Sequence, residues 1–203
     1  MHDPFLTPFS DDCLDNVVKN EAYSFTDGFS GYHQVQIGKE DKIKTTFTTE
    51  WGSYAYNVMP FRLKNAPTVF SRIVIAAFRD YIHKFLEVYM DDWTMYSLLN
   101  KHTNLLRVIF ERCRKLQIYL NIKKCIFTVP FGTLLGHIIC KDEVCVDLAK
   151  VVAIIHMEPP CNIKQVRSTL GHMGYYQQFI KNYISTIAPL EKLLNKMEEF
   201  IWK

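Results

Sequence analysis

The sequence has 203 residues, of which 48% are hydrophobic and 14% aromatic, with 24 Lys and Arg against 21 Asp and Glu. This composition excludes a mainly disordered or collagen-like chain and predicts one large domain or two small ones. The longest apolar runs, such as 73–78, are far shorter than the ~20 residues that cross a bilayer, so no membrane association is expected. The net charge of +3 permits nucleic-acid binding without arguing for it.

The first twelve residues lack both the basic start and the apolar stretch of a secretory signal, which predicts an intracellular protein. Its six cysteines are therefore expected to be reduced thiols. Cys140 and Cys145 have the spacing of half a metal site, but no second pair completes it.

Short strands and turns dominate the first part of the sequence. Residues 22–26 form an apolar run that ends at Asp27-Gly28, and this run predicts a strand. Residues 45–49 and 53–58 are rich in strand formers and predict a hairpin. A helix is predicted from about Pro67 to about residue 84, because apolar residues recur on one helical face.

The next predicted elements alternate between strand and helix. Residues 85–89 and 93–96 are strand-prone and flank Asp91-Asp92, which predicts a hairpin with both aspartates at its turn. A helix is predicted over 102–117. Further short strands are predicted around residue 126, over 134–139 and over 144–146.

The C-terminal part is predicted to be all helical. Asp147 is the expected N-cap of a helix to about residue 156, and Asn162 that of a long helix to about residue 182. A last helix is predicted after Pro189. The fold class is therefore α+β, with a mixed domain over 1–146 and a helical domain over 147–203.

Asp91 and Asp92 are the first residues that indicate chemistry. Two adjacent carboxylates at the tip of an apolar hairpin lose solvation and repel each other. A bound divalent cation such as Mg²⁺ would offset that cost, whereas a solvated turn is the structural alternative. Asp27 also ends a strand, but the spacing alone does not show that it meets Asp91, and an Asp before Gly is common in turns.

Seven stretches in a fixed order make the assignment specific. They are SFTDGFSGYHQ at 24–34, KTTFTTEWGSYAYNVMPF at 44–61, LKNAPTVFSRI at 63–73, VYMDDWTMYS at 88–97, LNIKKCIF at 120–127, LLGHII at 134–139 and LGHMGYYQQFIKNYISTIAPLEKLL at 170–194. Together they cover nearly the whole chain and resemble the reverse transcriptase domain of gypsy-type LTR retrotransposon Pol polyproteins.

The resemblance implies a right-hand polymerase, with a palm and partial fingers over 1–146 and a helical thumb leading into a connection over 147–203. It implies an RNA-directed DNA polymerase that extends a primer 3′-OH with dNTPs on an RNA or DNA template. The implied cofactors are two Mg²⁺ ions, with Mn²⁺ as an alternative. The parent polyprotein would also carry RNase H and integrase domains, in a cytoplasmic retroelement particle or the nucleus.

The resemblance also assigns roles near the catalytic centre. Asp27, Asp91 and Asp92 would bind the metal ions, with the carbonyl of Gly28 as an extra ligand. The remaining nucleotide-site assignments are Tyr32 as the ring that excludes a 2′-OH, Phe61 and Arg62 as neighbours of the nucleotide, and Lys124 as a candidate general acid near the leaving pyrophosphate. An ordinary half-buried tyrosine and a solvated lysine are the alternatives for Tyr32 and Lys124.

Other matched residues would contact the nucleic acid. They are Lys64, Asn65 and Pro67 beside the template, Leu135, Gly136 and His137 in a primer grip, and Lys164 and Arg167 on the duplex phosphates. For Lys164 and Arg167, a solvated helix face explains the same charges.

Two departures from the family pattern leave the activity undetermined. Relatives usually read MPFGLKNAP where this sequence reads MPFRLKNAP, so Arg62 replaces a glycine. If the backbone φ angle is positive there, a side chain adds strain of order 1 kcal/mol. The sequence also begins after the basic fingers segment that the family normally has. The alternative hypothesis is therefore a truncated, catalytically impaired relic that still folds and binds primer–template.

Overall fold

A computed structural model describes residues 10–194. The helices are α1 (Ser10–Val17), α2 (Ala66–Phe78), α3 (Leu99–Leu116), α4 (Leu148–Ile155), α5 (Ile163–Tyr175) and α6 (Tyr183–Lys192). The strands are β1 (Ala22–Asp27), β2 (Phe47–Thr49), β3 (Gly52–Tyr54), β4 (Leu86–Tyr89), β5 (Asp92–Ser97), β6 (Ile126–Val129), β7 (Phe131–Leu134), β8 (His137–Cys140) and β9 (Val144–Val146). The chain divides into two compact units: the first runs to residue 135 and includes 139–144, and the second holds 136–138 and the chain from 145 onward.

A four-stranded sheet is the centre of the first unit, and it positions the aspartates. Its strand order is β4-β5-β1-β6, and β1 pairs antiparallel with both β5 and β6. Alternate residues of β4 and β5, including Val88, Trp93 and Met95, are buried in one core with α2 and α3. This alternation follows from the two-residue period of a strand, and it covers one face of the sheet with helices.

The opposite face of the sheet has its own smaller core. Tyr23 and Tyr96 lie on this face and pack with Leu14 and Val17 of α1. Glu87 belongs to the same face, where its carboxylate accepts a hydrogen bond from the Tyr96 hydroxyl at 3.1 Å. Both faces of the sheet are therefore covered, which fixes the positions of its strand ends.

The first predicted strand and the two predicted hairpins of the first unit are confirmed. β1 and the β4–β5 hairpin lie within one or two residues of the expected positions, and β2 and β3 form the expected hairpin with shorter strands. All six cysteines are free thiols. No helix among residues 10–194 is long and apolar enough to cross a membrane. The sequence features noted for residues 1–9 and 195–203 lie outside the described residues.

Two boundaries in the first part differ from the prediction. α2 ends at Phe78 rather than near residue 84, and the chain beyond it turns, with His83 in a left-handed conformation (φ 62°) just before β4. The single strand predicted over 134–139 is wrong, since Leu135 and Gly136 have φ angles of 47° and 70° and separate β7 from β8 by a turn. Left-handed residues end regular structure, and only Gly136 signals this in the sequence.

The second unit confirms both predicted helix starts. The side chain of Asp147 accepts a hydrogen bond from Ala149 N–H at 3.0 Å, and that of Asn162 accepts one from Gln165 N–H at 3.0 Å. These bonds satisfy donors that the first helical turn leaves unpaired. The sequence therefore located the beginnings of α4 and α5 correctly.

The ends of the last two helices were predicted wrongly. α5 ends at Tyr175 rather than near residue 182. A new helix starts after Asn182, whose φ of 54° is left-handed and whose carbonyl accepts a hydrogen bond from the Ser185 hydroxyl at 2.8 Å. The prediction of a last helix after Pro189 is also wrong, because Pro189 lies inside α6. Proline is favoured at a helix start, and this preference misplaced the boundary.

His102 is a buried titratable group in the first unit and gives a prediction about stability. Its Nε2 lies 2.7 Å from the Ser24 hydroxyl and its Nδ1 lies 2.8 Å from that of Ser97. Burial lowers the pKa of His102, so folding favours the neutral ring.

We therefore expect stability to fall as the pH drops below about 6.5, where His102 of the unfolded chain takes up a proton. The loss is at most about 1.4 kcal/mol per pH unit for one group. Urea unfolding at about pH 7.5 and about pH 5.5 should show this loss in the parent but not in His102→Gln, whose amide can bond to both serines. An identical pH dependence of the two proteins would contradict the assignment.

Candidate functional site

Three aspartates meet at one end of the central strands of the first unit. Asp27 is the last residue of β1 and stands opposite Asp92, the first residue of β5, in the antiparallel register. Asp91 lies in the two-residue turn Met90-Asp91 that joins β4 to β5. The expectation that Asp91 and Asp92 occupy a hairpin end is confirmed. The pairing of β1 with β5 brings Asp27 to them.

The residues below the turn hold this strand end in place. Val88 and Trp93 are cross-strand partners one step below Tyr89 and Asp92, and both are buried. Burial of two large apolar side chains is worth a few kcal/mol, which is enough to hold a costly acidic turn at the edge of the core. Met90 adopts a left-handed φ of 53°, which closes the turn.

The surroundings of Asp91 and Asp92 disfavour the negative charge of their carboxylates. Loss of solvation, followed by the charge of Asp27, raises the pKa of Asp91. Loss of solvation, followed by the charges of Asp27 and Asp91, raises the pKa of Asp92. The carboxylates of Asp91 and Asp92 are therefore less stable as anions than in water, and a bound cation would offset that cost.

Lys124 supplies the positive charge that the structure places at this site. Its Nζ lies 2.9 Å from Oδ2 of Asp27, although 69% of the lysine side chain is exposed. The hydrogen bond to Asp27 raises the pKa of Lys124, so its ammonium stays protonated. The structure thus places Lys124 beside the aspartates, the four residues that the resemblance assigned to one catalytic centre.

The donor set is compatible with a hard divalent cation, although the side chains are not yet arranged around one. Among residues 10–194, no three Asp, Glu, His or Cys side chains converge closely enough to hold a metal ion. The carboxylate oxygens of Asp27, Asp91 and Asp92 are nevertheless the ligand type that Mg²⁺ prefers. Lys124 contacts only one of the two Asp27 oxygens, so the contact alone does not prevent this carboxylate from also binding a metal ion.

Tyr32 borders the aspartates and joins an aromatic cluster. Its hydroxyl donates a hydrogen bond to Oδ2 of Asp91 at 3.4 Å. Its ring makes edge contacts with Phe61 and Phe70, at centroid distances of 5.2 and 5.8 Å. A Cβ atom added to Gly31 would lie 2.6 Å from the Phe70 ring, so glycine is needed for this close packing.

Gly28 and Phe61 also adjoin this cluster. A Cβ on Gly28 would meet the Phe70 ring at 3.3 Å, which is tighter than an ordinary contact. Phe61 is 56% exposed, and its ring also contacts the His33 ring at a centroid distance of 5.1 Å. Phe61 therefore offers an open aromatic surface beside Tyr32.

Arg62, which stands where relatives have glycine, has a positive backbone φ angle. Its φ angle is 72°, in the left-handed region that favours glycine, and its side chain is exposed. An L-residue in this region carries a strain of roughly 1–2 kcal/mol.

We predict that Arg62→Gly stabilises the protein by about 0.5–1 kcal/mol, since relief of strain outweighs the added freedom of the unfolded chain. Urea unfolding measures this directly. Lys64→Gly is the matched control, because Lys64 is exposed but outside the left-handed region, and this variant should be neutral or less stable. Destabilisation by Arg62→Gly would contradict the strain assignment.

The remaining template-side residues lie at the start of α2. Lys64 and Asn65 are exposed, and Pro67 occupies the first turn, where its missing N–H costs little. They lie on the segment that links Phe61 to the helix carrying Phe70.

In the second unit, the side chain of His137 is buried rather than displayed. Its ring stacks on Tyr175 at a centroid distance of 5.2 Å and contacts Tyr176 at 5.3 Å. The Tyr176 hydroxyl donates a hydrogen bond to the Gly136 carbonyl at 2.8 Å, which anchors the turn after Leu135. The turn therefore offers backbone rather than the imidazole as a contact surface.

Lys164 and Arg167 project from α5. Both side chains are exposed and lie three residues apart, so they share one face of the helix. Val166, which lies between them in the sequence, is fully buried and marks the face of α5 that packs inward.

Two residues at the site were not selected by the sequence analysis. Phe70 packs under Gly31 and Tyr32, and the glycine spacing in DGFSGY is the signal that could have indicated an aromatic neighbour. Gln34 binds backbone groups of Tyr119, 85 residues away, and no local pattern indicates such a contact.

Comparison with known proteins identifies the relatives of this chain. The sequence profile described as "Reverse transcriptase (RNA-dependent DNA polymerase)" matches residues 2–172. The chain is 33% identical over 96% of its length to the retrovirus-related Pol polyprotein from transposon 297 of Drosophila melanogaster. It is 31% identical over 89% of its length to that from transposon gypsy of the same organism. It spans 18% of each of these two polyproteins.

A solved structure has the same fold. The foamy viral protease-reverse transcriptase, determined in complex with double-stranded DNA, superposes with a TM-score of 0.90 at 22% sequence identity. The match covers 98% of this chain and 36% of the foamy viral chain.

Proposed function

Since the chain belongs to the reverse transcriptase (RNA-dependent DNA polymerase) family, we propose that it extends a primer 3′-OH with dNTPs along an RNA or DNA template. The observation that carries this proposal is the placement of Asp27, Asp91 and Asp92 at the same end of neighbouring strands, with the pKa values of Asp91 and Asp92 raised. Gypsy-type Pol relatives support it, since this chain matches one segment of each of them.

The carboxylates of Asp27, Asp91 and Asp92, with the carbonyl of Gly28, are the proposed ligands of two Mg²⁺ ions, with Mn²⁺ as an alternative. When bound, such ions activate the primer hydroxyl and neutralise charge on the triphosphate and pyrophosphate. The carboxylates fix where the positive charge is held and thereby where the primer end and the nucleotide meet.

Lys124 is the proposed general acid. Its pKa is raised, so its ammonium carries a proton at neutral pH and can give it to the leaving pyrophosphate. A solvated lysine that only neutralises Asp27 is the alternative role.

Tyr32 is the proposed sugar gate. Its ring packs against both Phe61 and Phe70, and these contacts restrict its movement away from a ribose 2′-OH. Phe61 and Arg62 would border the nucleotide on the open side of the ring. Steric exclusion of this kind sets selectivity by destabilising the wrong substrate.

The domain roles follow the same proposal. Residues 1–146 are assigned to a palm with partial fingers, and 147–203 to a helical thumb leading into a connection. Lys64, Asn65 and Pro67 are the proposed template-side residues. The turn Leu135-Gly136-His137 is the proposed primer grip, acting through its backbone.

The partners follow from the same proposal. Lys164 and Arg167 would neutralise duplex phosphates without reading sequence. In the parent polyprotein, RNase H and integrase domains would accompany this segment. The intracellular setting expected from the sequence, a retroelement particle or the nucleus, belongs to the same proposal.

A second candidate function is primer–template binding without catalysis. The left-handed Arg62 favours it, because the strained residue borders the proposed nucleotide site. The chain also spans only 18% of its Pol relatives, so other segments of a polyprotein could be needed for turnover.

Primer extension on an RNA template with Mg²⁺ distinguishes the two functions. Extension by the parent chain supports the polymerase. Extension only by Arg62→Gly locates the defect at the nucleotide site. Duplex binding with no extension by either protein supports the binding relic.

A further inference from the structure

The segment that carries Lys124 is attached to the end of β1 by backbone hydrogen bonds. The N–H of Asn121 donates to the carbonyl of Asp27 at 2.8 Å, and the N–H of Phe29 donates to the carbonyl of Tyr119 at 2.9 Å. Gly28 and Leu120 form an antiparallel bridge between these two bonds. Residues 119–121 therefore run beside 27–29 as a very short pair of strands.

Gln34 reinforces this pairing from the side. Its Nε2 donates to the carbonyls of Phe29 at 2.6 Å and Tyr119 at 3.0 Å. Its Oε1 accepts a hydrogen bond from the N–H of Tyr119 at 2.9 Å. One side-chain amide thus joins both chain segments and binds both backbone groups of Tyr119, as a neighbouring strand would.

Lys124 lies one backbone turn after the paired residues 119–121. Its N–H donates to the carbonyl of Asn121 at 2.9 Å, which closes the turn and directs the side chain to Asp27. The Lys124 side chain is 69% exposed, so solvent screens the ion pair, and the pair alone holds the lysine only weakly. The fixed backbone of 119–121 is therefore what holds the lysine beside the aspartates.

We propose that Gln34 is a positioning residue that holds segment 119–121 against the end of β1, so that the Lys124 ammonium lies at the catalytic aspartates. Its catalytic consequence rests on the proposed polymerase function, in which Lys124 acts as a general acid. The structural part of the proposal, that Gln34 holds segment 119–121 in place, does not depend on polymerase activity.

The test compares Gln34→Met, which keeps the length of the side chain but makes none of the three hydrogen bonds, with Gln36→Met. Gln36 is exposed, two residues further along, and has no assigned role. Gln34→Glu is a second variant, which keeps the acceptor for Tyr119 N–H but loses both donations. Circular dichroism first verifies that each variant is folded.

Amide hydrogen exchange and lysine acylation, both read by mass spectrometry, form the first arm. In Gln34→Met we expect exchange across 119–121 to rise about tenfold, and Lys124 to be acylated about as fast as its exposed neighbour Lys123. Gln36→Met should match the parent. Unchanged exchange and unchanged labelling of Lys124 in both Gln34 variants would overturn the proposal whether or not the chain has polymerase activity.

Single-turnover dNTP incorporation is the second arm. We expect Gln34→Met to lower the incorporation rate about tenfold with an unchanged apparent dNTP affinity, and to add no further loss to Lys124→Met. Independent, multiplicative losses would overturn the catalytic part of the proposal. If the parent has no activity, the proposed function fails, and the first arm alone decides whether Gln34 positions the lysine.

Discussion

Asp91→Asn should reduce primer extension by about a thousandfold while leaving the fold intact. The change removes one negative charge from a site whose proposed function is to hold divalent cations. A loss of about 4 kcal/mol in transition-state stabilisation corresponds to that factor. Single-turnover extension of a primer on an RNA template with Mg²⁺ measures it.

The same substitution should raise the free energy of unfolding or leave it unchanged. Loss of solvation and the charge of Asp27 raise the pKa of Asp91, so its charged form destabilises the folded state at neutral pH. The neutral amide of the variant removes that cost. Urea unfolding would thus show stability and activity moving in opposite directions, as is common at functional sites.

Asp80→Asn is the matched control for charge, because Asp80 is exposed in the turns after α2. It should extend primers like the parent. Full activity in Asp91→Asn, or equal losses in both variants, would contradict the assignment of the catalytic carboxylates.

Tyr32→Ala should increase incorporation of ribonucleotides relative to deoxyribonucleotides by about a hundredfold. The ring packs against Phe61 and Phe70, and its removal opens space beside Asp91 where a 2′-OH can fit. The ratio of kcat/KM for matched ribo- and deoxyribonucleotides measures the effect.

Tyr32→Phe separates the ring from the hydroxyl. It keeps the aromatic contacts and loses only the 3.4 Å hydrogen bond to Asp91, so it should retain sugar selectivity. Rejection of ribonucleotides by Tyr32→Ala as strong as in the parent would show that another residue excludes the 2′-OH.

The central hairpin could be predicted from the sequence because local pattern and tertiary packing agree there. Val88 and Trp93 are residue types that favour strands, and they flank an acidic turn. Both are buried in one core, so packing favours the same strands that the local sequence predicts. The N-caps Asp147 and Asn162 were predictable for a similar reason, since each bonds within its own first turn.

Contacts between distant segments could not be predicted in this way. The pairing of β1 with β5 brings Asp27 opposite Asp92, and spacing in the sequence does not determine strand order. Family resemblance gave that proximity, whereas it gave no role for Gln34, whose partner Tyr119 lies 85 residues away. Long-range hydrogen bonds leave no periodic signal in the sequence.

Backbone conformation was predictable only where a glycine was expected. The sequence analysis considered a left-handed φ at Arg62 because relatives have Gly there, and the observed φ of 72° meets that condition. Asn182 and His83 are also left-handed, but neither was identified in advance, and both lie inside stretches that the sequence predicted as continuous helix. Tertiary packing stabilises these conformations against their local cost.

Titration of ¹⁵N-labelled protein with Mn²⁺ most directly tests the claim that Asp27, Asp91 and Asp92 form a divalent-metal centre. Paramagnetic broadening should begin at the amides of residues 27–28 and 90–92, at a metal concentration where Asp91→Asn shows none. This result would establish the centre independently of turnover. Equal broadening in the parent and Asp91→Asn, or broadening that begins elsewhere, would contradict the account.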